Sequence, residues 1–388
     1  MTPAARVQAA SEVLDAILDG VAAEKALSNW ARRSRYAGSK DRAAVRDHVF
    51  QALRCRRSYG ALGGAATGRG LMIGALRDQS LPADDIFTGA AYAPAALSED
   101  ERTSKLPSAQ DMWDLPDWLI AAFQASLGST AEATAQALRH RAPVMARVNL
   151  AKTSVDNAVS ALAQAQITAY PDPIAQSALK LTDGARRVAH STPYAEGMIE
   201  LQDGSSQAAM ERLSLPGQGK VLDYCAGGGG KTLALAGRGQ AQWFAHDAMP
   251  QRMKDLPPRA ARAGVVVRVL SSDQLDEHAP YDLVLCDVPC SGSGTWRRTP
   301  EAKWALTPDR LAELGDIQAS ILTKAATLVA PGGVLAYATC SVLRQENEDQ
   351  ITGFLQAMPG WSRECQHRWP VSDAGDGFFL SALRCEIE

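Results

Sequence analysis

Val221-Leu-Asp-Tyr-Cys-Ala-Gly-Gly-Gly-Gly-Lys-Thr232 is the stretch that decides the fold. A short apolar run ends at an acid, four glycines follow, and helix-forming residues resume at Thr232. Glycines at such a turn let the backbone take positive φ and approach a ligand closely. Outward from this stretch, strand, loop and helix alternate from Gly219 onward. Val221–Tyr224, Trp243–His246, Val265–Leu270, Leu283–Cys286 and Val334–Ala338 are short apolar runs that read as buried parallel strands. Helices are predicted between them, near Thr232–Ala236, Arg259–Ala263 and Leu311–Leu328. Pro257 and Pro258 interrupt the second crossover segment, which predicts a split helix there. Phe378–Cys385 reads as a final strand at a hairpin edge. The order is that of an α/β, doubly wound sheet, with ligands outside the carboxyl ends of its strands.

Residues 1–140 carry a helical pattern instead. Thr2-Pro3 reads as an N-cap followed by proline at the first helical position, with Val7, Ala10, Leu14, Ile17 and Leu18 on one stripe and Gly20 closing the helix. A second helix starts near Ser39 and buries Val45, Val49, Phe50 and Leu53, leaving Arg42, Arg46, Arg54 and Arg57 mostly off the stripe. Further helices are expected over Leu71–Arg77, Ala83–Thr88 and Pro116–Leu127. Residues 141–200 read as a small α+β connector, with a strand at Ala146–Asn149, a helix at Ser154–Gln164 and extended pieces at Leu179–Leu181 and Met198–Gln202. Residues 201–388 hold the doubly wound domain.

The 388 residues suffice for two or three domains, and a hydrophobic content of 46% supports large cores. No apolar run approaches the ~18 residues of a membrane span, and no signal peptide is visible at the N-terminus. The seven cysteines form no disulfide framework and no Cys-x-x-Cys pair, and the six histidines show no zinc spacing, so no metal site is expected. A reducing cytoplasm is the expected compartment. The net charge of −3 conceals a local excess. Between Ala31 and Gly60 nine basic residues stand against two aspartates, the pattern of a basic surface.

The chemistry gathers at the strand ends. The loop Cys225, Ala226, Gly227, Gly228, Gly229, Gly230 and Lys231 reads as a cofactor cradle, with a flexible turn as the alternative. Asp247 follows the second strand and suits a carboxylate accepting from two ribose hydroxyls; it also suits a helix N-cap. Asp273, after the third strand, is placed to meet an adenine edge or to be a solvated loop acid. These features fit a nicotinamide cofactor as well as S-adenosylmethionine. The fourth and fifth strands separate them: Asp287-Val-Pro-Cys290-Ser-Gly sets a carboxylate and a thiol at the cofactor edge, and Thr339-Cys340-Ser sets a second thiol beside it. A single cysteine is most often a buried apolar residue, but a pair so placed suits covalent catalysis. Cytosine C5 is too weak a nucleophile to take a methyl group unaided. A thiolate adding at C6 and later leaving makes it strong enough to attack a methyl sulfonium. Asp287 would hydrogen-bond the base through N3 or N4. Spacing alone does not decide which cysteine attacks.

These motifs together resemble the Sun/RsmB family of RNA cytosine-5 methyltransferases over most of the chain. The cofactor loop, Asp287-Val-Pro-Cys-Ser-Gly and Ala338-Thr-Cys-Ser341 carry the likeness, with Gln202-Asp-Gly-Ser-Ser-Gln207, Arg297-Arg-Thr-Pro-Glu-Ala-Lys-Trp304, Gln345-Glu-Asn-Glu348 and Asp376-Gly-Phe-Phe379. The resemblance implies a Rossmann-like, S-adenosylmethionine-dependent methyltransferase domain. It implies Cys340 as nucleophile, Cys290 in release of the methylated RNA, and Cys225 to Lys231, Asp247, Asp273 and Asp287 as cofactor contacts. One departure stands in the loop, where the family's Ala-Pro is Gly227-Gly228. That removes a φ lock and leaves cofactor affinity open. Asp41 to Arg54 resembles a helix of the NusB-type RNA-binding domain that precedes the catalytic domain in RsmB-type enzymes; a solvated basic face is the plain alternative. The connector resembles the small subdomain joining the two parts.

The expectation is methylation of C5 of an unstacked cytosine in RNA, small-subunit ribosomal RNA first and transfer RNA second. Arg42, Arg46, Arg297 and Arg298 would hold phosphates, making binding salt-sensitive. Two rivals remain: an RNA-binding assembly factor with a degenerate catalytic domain, and a small-molecule methyltransferase. Intact Cys290, Cys340 and Asp287 oppose the first, and the basic helical region opposes the second.

Overall fold

Thr2 caps the first helix, Pro3–Leu18: its hydroxyl accepts from the Ala5 amide at 3.1 Å, and Pro3 takes the first helical position. Val7, Ala10 and Leu14 are buried as the stripe requires, while Ile17 and Leu18 are half-buried. The computed structural model describes residues 1–103 and 105–386. They form two units, Met1–Arg141 with Trp296–Leu306, and Ala142–Thr295 with Thr307–Glu388.

The first unit is helical. After the first helix come Ala23–Arg33, Ser39–Arg54, Arg56–Gly63, Gly68–Asp78, Asp117–Leu127 and Ala131–Leu138. A Cβ on Gly74 would lie 2.0 Å from the Tyr59 carbonyl oxygen, so glycine lets Arg56–Gly63 and Gly68–Asp78 meet backbone to backbone. The helix expected over Ala83–Thr88 shrinks to a 3-10 turn at Ala83–Asp85, squeezed between Pro82 and the left-handed Gly89. Arg54 does not lie off the buried stripe. Only 7% exposed, its Nε donates to the Arg297 carbonyl at 2.7 Å. The segment Trp296–Leu306 is built into this unit. Trp296 is fully buried and stacks on Phe123 with centroids 5.9 Å apart, and Lys303 Nζ donates to the Arg54 carbonyl at 2.7 Å. Burial holds the Lys303 ammonium down to about 8.

In the second unit β1 (Val144–Val148), β2 (Thr168–Pro171), β3 (Ala178–Asp183) and β4 (Ile199–Leu201) form an antiparallel sheet in the order β2-β3-β1-β4. Helix Val155–Gln164 packs on it through Ala158 and Leu162, capped by the Ser154 hydroxyl. The larger sheet contains β5 (Lys220–Asp223), β6 (Gln242–Ala245), β7 (Val267–Val269), β8 (Tyr281–Asp287), β9 (Val329–Thr339), β10 (Trp361–Trp369) and β11 (Phe378–Cys385). Their order is β10-β11-β9-β8-β5-β6-β7, with β5 to β9 parallel and β11 antiparallel to β9. The chain moves from β5 outward to β7, then returns to β8 and continues the other way. The reversal lies between β5 and β8, the switch point of a Rossmann-like sheet. Leu222, Val284 and Leu335 face one core, and Val221, Leu283 and Ala336 face the other.

Two expectations change here. β11 is interior, between β9 and β10, and the edge is β10. Pro257 and Pro258 do not split a helix. They sit in the first turn of Leu256–Ala263, after a 3-10 turn at Pro250–Met253, where an amide has no helical partner to lose.

Candidate active site

The carboxyl ends of β5, β8 and β9 converge on one place. After β5 the glycine loop turns through two left-handed residues, Gly227 (φ +49°) and Gly229 (φ +78°). A Cβ on Gly229 would lie 2.0 Å from Leu256 Cδ1, so only glycine fits there, whereas a Cβ on Gly227 would meet nothing nearer than Arg252 Nη2 at 3.8 Å. The loop is pinned from several sides. The Ala226 amide donates to the His246 carbonyl at 2.8 Å, and the Gly227 amide to Asp247 Oδ2 at 3.0 Å. The Arg259 guanidinium donates to the Gly228 carbonyl, and Arg147 Nη1 to the Gly230 carbonyl at 2.9 Å. Cys225, Ala226, Gly228 and Gly230 are half-buried. Burial pushes the Cys225 thiol up.

Asp223, Asp247 and Asp273 end or follow the adjacent strands β5, β6 and β7. Asp223 is buried and accepts the Thr232 hydroxyl at 2.6 Å through Oδ2, while its buried Oδ1 has no hydrogen-bond partner. Desolvation raises its carboxyl from 3.8 to about 7, against the Thr232 hydrogen bond. Asp247 uses both oxygens on backbone amides, Oδ2 on Gly227 and Oδ1 on Met249 at 2.9 Å, and Arg252 lies 3.5 Å from Oδ2. Its role as a turn cap is therefore fulfilled, and any ribose would share these oxygens. Asp273 is exposed, and the Ser271 hydroxyl holds its carboxyl below the ordinary value. His246 ties this row together, with Nδ1 2.8 Å from the Tyr224 carbonyl and Nε2 2.9 Å from the Ser272 hydroxyl.

At the ends of β8 and β9 the two thiols meet. Cys290 Sγ and Cys340 Sγ are 3.5 Å apart, and both residues are half-buried. Lys231 Nζ pairs with Asp287 Oδ2 at 2.7 Å and lies 5.0 Å from the Phe378 ring centroid. The hydrogen bond from Cys290 lowers the Cys340 thiol, against burial and the Asp287 charge and with help from Lys231. The same hydrogen bond and burial push Cys290 well up. Of the two sulfurs, Cys340 is thus the more readily ionised.

The expected site residues do not all gather here. Arg42 and Arg46 lie on helix Ser39–Arg54 of the first unit, both exposed. Arg46 Nη1 pairs with Glu24 at 2.7 Å and its guanidinium lies 4.7 Å from the Phe50 centroid, while Arg42 Nε donates to the Ala37 carbonyl at 3.0 Å. Arg298 is exposed, but Arg297 is 3% exposed and offers nothing to a phosphate in solvent. That corrects the expectation for Arg297: its burial belongs with that of neighbouring Trp296. Sequence reasoning gave no role to Glu346, Asn347 or Gln318. All three are fully buried around the thiol loops, and the only hint was the matched run Gln345 to Glu348. Among the described residues no group of three or more His, Cys, Asp or Glu side chains could hold a metal ion, and no helix is long and apolar enough to cross a membrane.

Known proteins give this geometry a context. The family described as 16S rRNA methyltransferase RsmB/F matches residues 210–384, and the RsmF/B-like ferredoxin-like domain matches residues 115–188. Ribosomal RNA small subunit methyltransferase B of Citrobacter koseri is 34% identical over 282 residues, covering 69% of this chain and 66% of that protein. The chain thus spans just under two thirds of the length of the curated relatives it matches. Among solved structures, PH0851 superposes over 99% of both chains with a TM-score of 0.76 at 23% identity. NSun6 from Pyrococcus horikoshii, solved with SFG, covers 70% of this chain and 99% of its own, with a TM-score of 0.62 at 16% identity. At these identities the two structures speak to the fold alone.

Proposed function

The chain belongs to the RsmB/F methyltransferase family, through its residues 210–384, and we propose that it methylates C5 of a cytosine in small-subunit ribosomal RNA, using S-adenosylmethionine. The observation that carries this reading is the 3.5 Å approach of Cys290 and Cys340 beside the Lys231–Asp287 pair. S-adenosylmethionine supplies the methyl group as a sulfonium electrophile. The chain suits it: a Cβ at Gly227 or Gly230 would meet no atom nearer than 3.8 Å, which leaves room for close approach at those two residues, Asp247 and Asp273 offer carboxylates, and the buried Asp223 Oδ1 is an acceptor without a donor.

Cys340 enters as the thiolate and bonds to C6, and the C5–C6 π pair becomes available at C5. Cys290 keeps its proton at this stage. Asp287, oriented by Lys231, accepts a hydrogen bond from the amino group at N4 and holds the base in register with Cys340. After methylation the C5 proton must leave to a base. The C5–H electrons then re-form C5=C6 and expel the Cys340 thiolate. Cys290, the sulfur next to the adduct, assists this release. The target base must be unstacked to reach these groups. The helical unit, with exposed Arg42, Arg46 and Arg298, is the proposed RNA-gripping part.

The test is transfer of labelled methyl from S-adenosylmethionine to unmethylated small-subunit RNA, followed by nucleoside analysis. Labelled 5-methylcytidine with the wild type and none with Cys340→Ala is expected. Full activity of Cys340→Ala refutes the nucleophile assignment, and label on a transfer RNA alone keeps the chemistry and changes the substrate.

A further inference from the structure

Cys290 and Cys340 are each followed by a serine, and both serines converge on one carboxylate. Glu346 is 0% exposed. Its Oε1 accepts the Ser291 amide at 2.7 Å and Gln318 Nε2 at 3.1 Å, and its Oε2 accepts the Ser291 and Ser341 hydroxyls, each at 2.5 Å. Gln318 also donates to the carbonyl of Pro289, the residue before Cys290, at 3.0 Å. The clamp is itself anchored. The Tyr337 hydroxyl of β9 donates to the Glu346 carbonyl at 2.6 Å, and Asn347 Nδ2 donates to the Ser341 carbonyl at 2.9 Å. All four donors to the carboxylate are neutral groups. A buried carboxylate held that way is costly unless its charge or its acceptor capacity is needed. A glutamine offers one acceptor oxygen and could not serve four donors.

We propose that Glu346 is a positioning residue that locks the Cys290 and Cys340 loops together and keeps the proton on Cys290, so that Cys340 is the sulfur that reacts. The inference rests on the reading of Cys340 as the attacking thiol. The charged and titratable groups around the pair are Glu346 and Tyr337 on the Cys290 side, and Lys231 and Asp287 on the Cys340 side. Glu346 places its charge behind Cys290, and Lys231 favours the thiolate at Cys340. The hydrogen bond to Cys340, burial, and the charges of Cys340 and Glu346 all push the Cys290 thiol up, in keeping with that division.

The experiment uses the full chain. Iodoacetamide alkylation is followed from pH 6 to pH 10 by peptide mass spectrometry (about the range in which thiols titrate), beside kcat and KM for RNA methylation. Wild type is expected to alkylate first at Cys340. Glu346→Gln is expected to alkylate at both cysteines, with kcat down on the order of tenfold or more and KM for S-adenosylmethionine unchanged. Glu346→Asp, which keeps the charge, is expected to retain the preference for Cys340. If Glu346→Gln does not fold, Ser341→Ala removes one arm of the clamp and is read the same way. Wild-type selectivity and wild-type kcat in the variant that folds overturn the proposal. Cys340→Ala, run alongside, separates the failures. If it methylates RNA normally, the reading of function falls. If it is inactive while Glu346→Gln behaves as wild type, only the clamp falls.

Discussion

Gly227→Ala and Gly229→Ala form a matched pair that tests how the cofactor loop is built. Both glycines have left-handed φ, +49° and +78°, so each alanine incurs a backbone penalty of about 1–2 kcal/mol. At Gly227 nothing more is added. The nearest atom to the new Cβ is Arg252 Nη2 at 3.8 Å, the end of a half-exposed side chain. At Gly229 the Cβ would sit 2.0 Å from Leu256 Cδ1 and 3.1 Å from its Cγ. Leu256 is 0% exposed and begins helix Leu256–Ala263, so it has no solvent to swing into. Overpacking of this kind adds about 1–3 kcal/mol. The expected losses are therefore about 1–2 kcal/mol for Gly227→Ala and about 2–5 kcal/mol for Gly229→Ala. Urea unfolding reads the difference as a lower midpoint at unchanged m-value. Calorimetry with S-adenosylmethionine is expected to show the larger loss of affinity for Gly229→Ala as well. If Gly229→Ala is no less stable than Gly227→Ala, the contact with Leu256 is not what requires glycine there.

Cys290→Ala is expected to accumulate a covalent enzyme–RNA adduct, seen as a retarded band on a denaturing gel, and the absence of that band with a competent substrate removes Cys290 from release. Asp223 gives a pH signature. Its folded value of about 7 lies above the unfolded 3.8, so the folded state binds more protons in that window and stability falls as pH rises from about 4 to about 7. In Asp223→Asn that component is expected to vanish, and a difference in thermal midpoint from wild type that stays flat across the window would refute it. Neutralising Arg42 and Arg46 together is expected to make the salt dependence of RNA affinity shallower by about 2 in log–log slope. An unchanged slope makes helix Ser39–Arg54 an ordinary solvated face.

Most of the larger sheet could be read from the chain because β5, β6, β8 and the end of β9 are buried on both faces and therefore appear as apolar runs, whereas β7, also expected to be buried, has no buried residue. The polar residues that end those runs, Asp223, Asp287 and Cys340, were legible for the same reason. β10 was not: of Trp361–Trp369 only Trp361 is buried, so its sequence carries no strand signal. β2 has Ala169 alone buried, and its signal is equally thin. Arg54 and Arg297 were misread because a guanidinium counts as surface until a carbonyl or a packed tryptophan accounts for it. Glu346 was overlooked because an acid in a polar run shows nothing of the four donors that meet it. Its place depends on Ser291, 55 residues earlier in the chain, and no local pattern encodes that distance.

The placement of Trp296–Leu306 in the helical unit bears on how the protein is made. Chains leave the ribosome from the N-terminus at about 5–20 residues per second. The first 141 residues emerge early, but the last segment of their unit follows only after residue 306, 165 residues later. For roughly 10–30 seconds at that pace, the nascent helices stand without Trp296, and Phe123 lacks its stacking partner. Completion of the helical unit is thereby tied to translation through β5 to β8. A stall inside the larger sheet would leave two unfinished cores on one nascent chain.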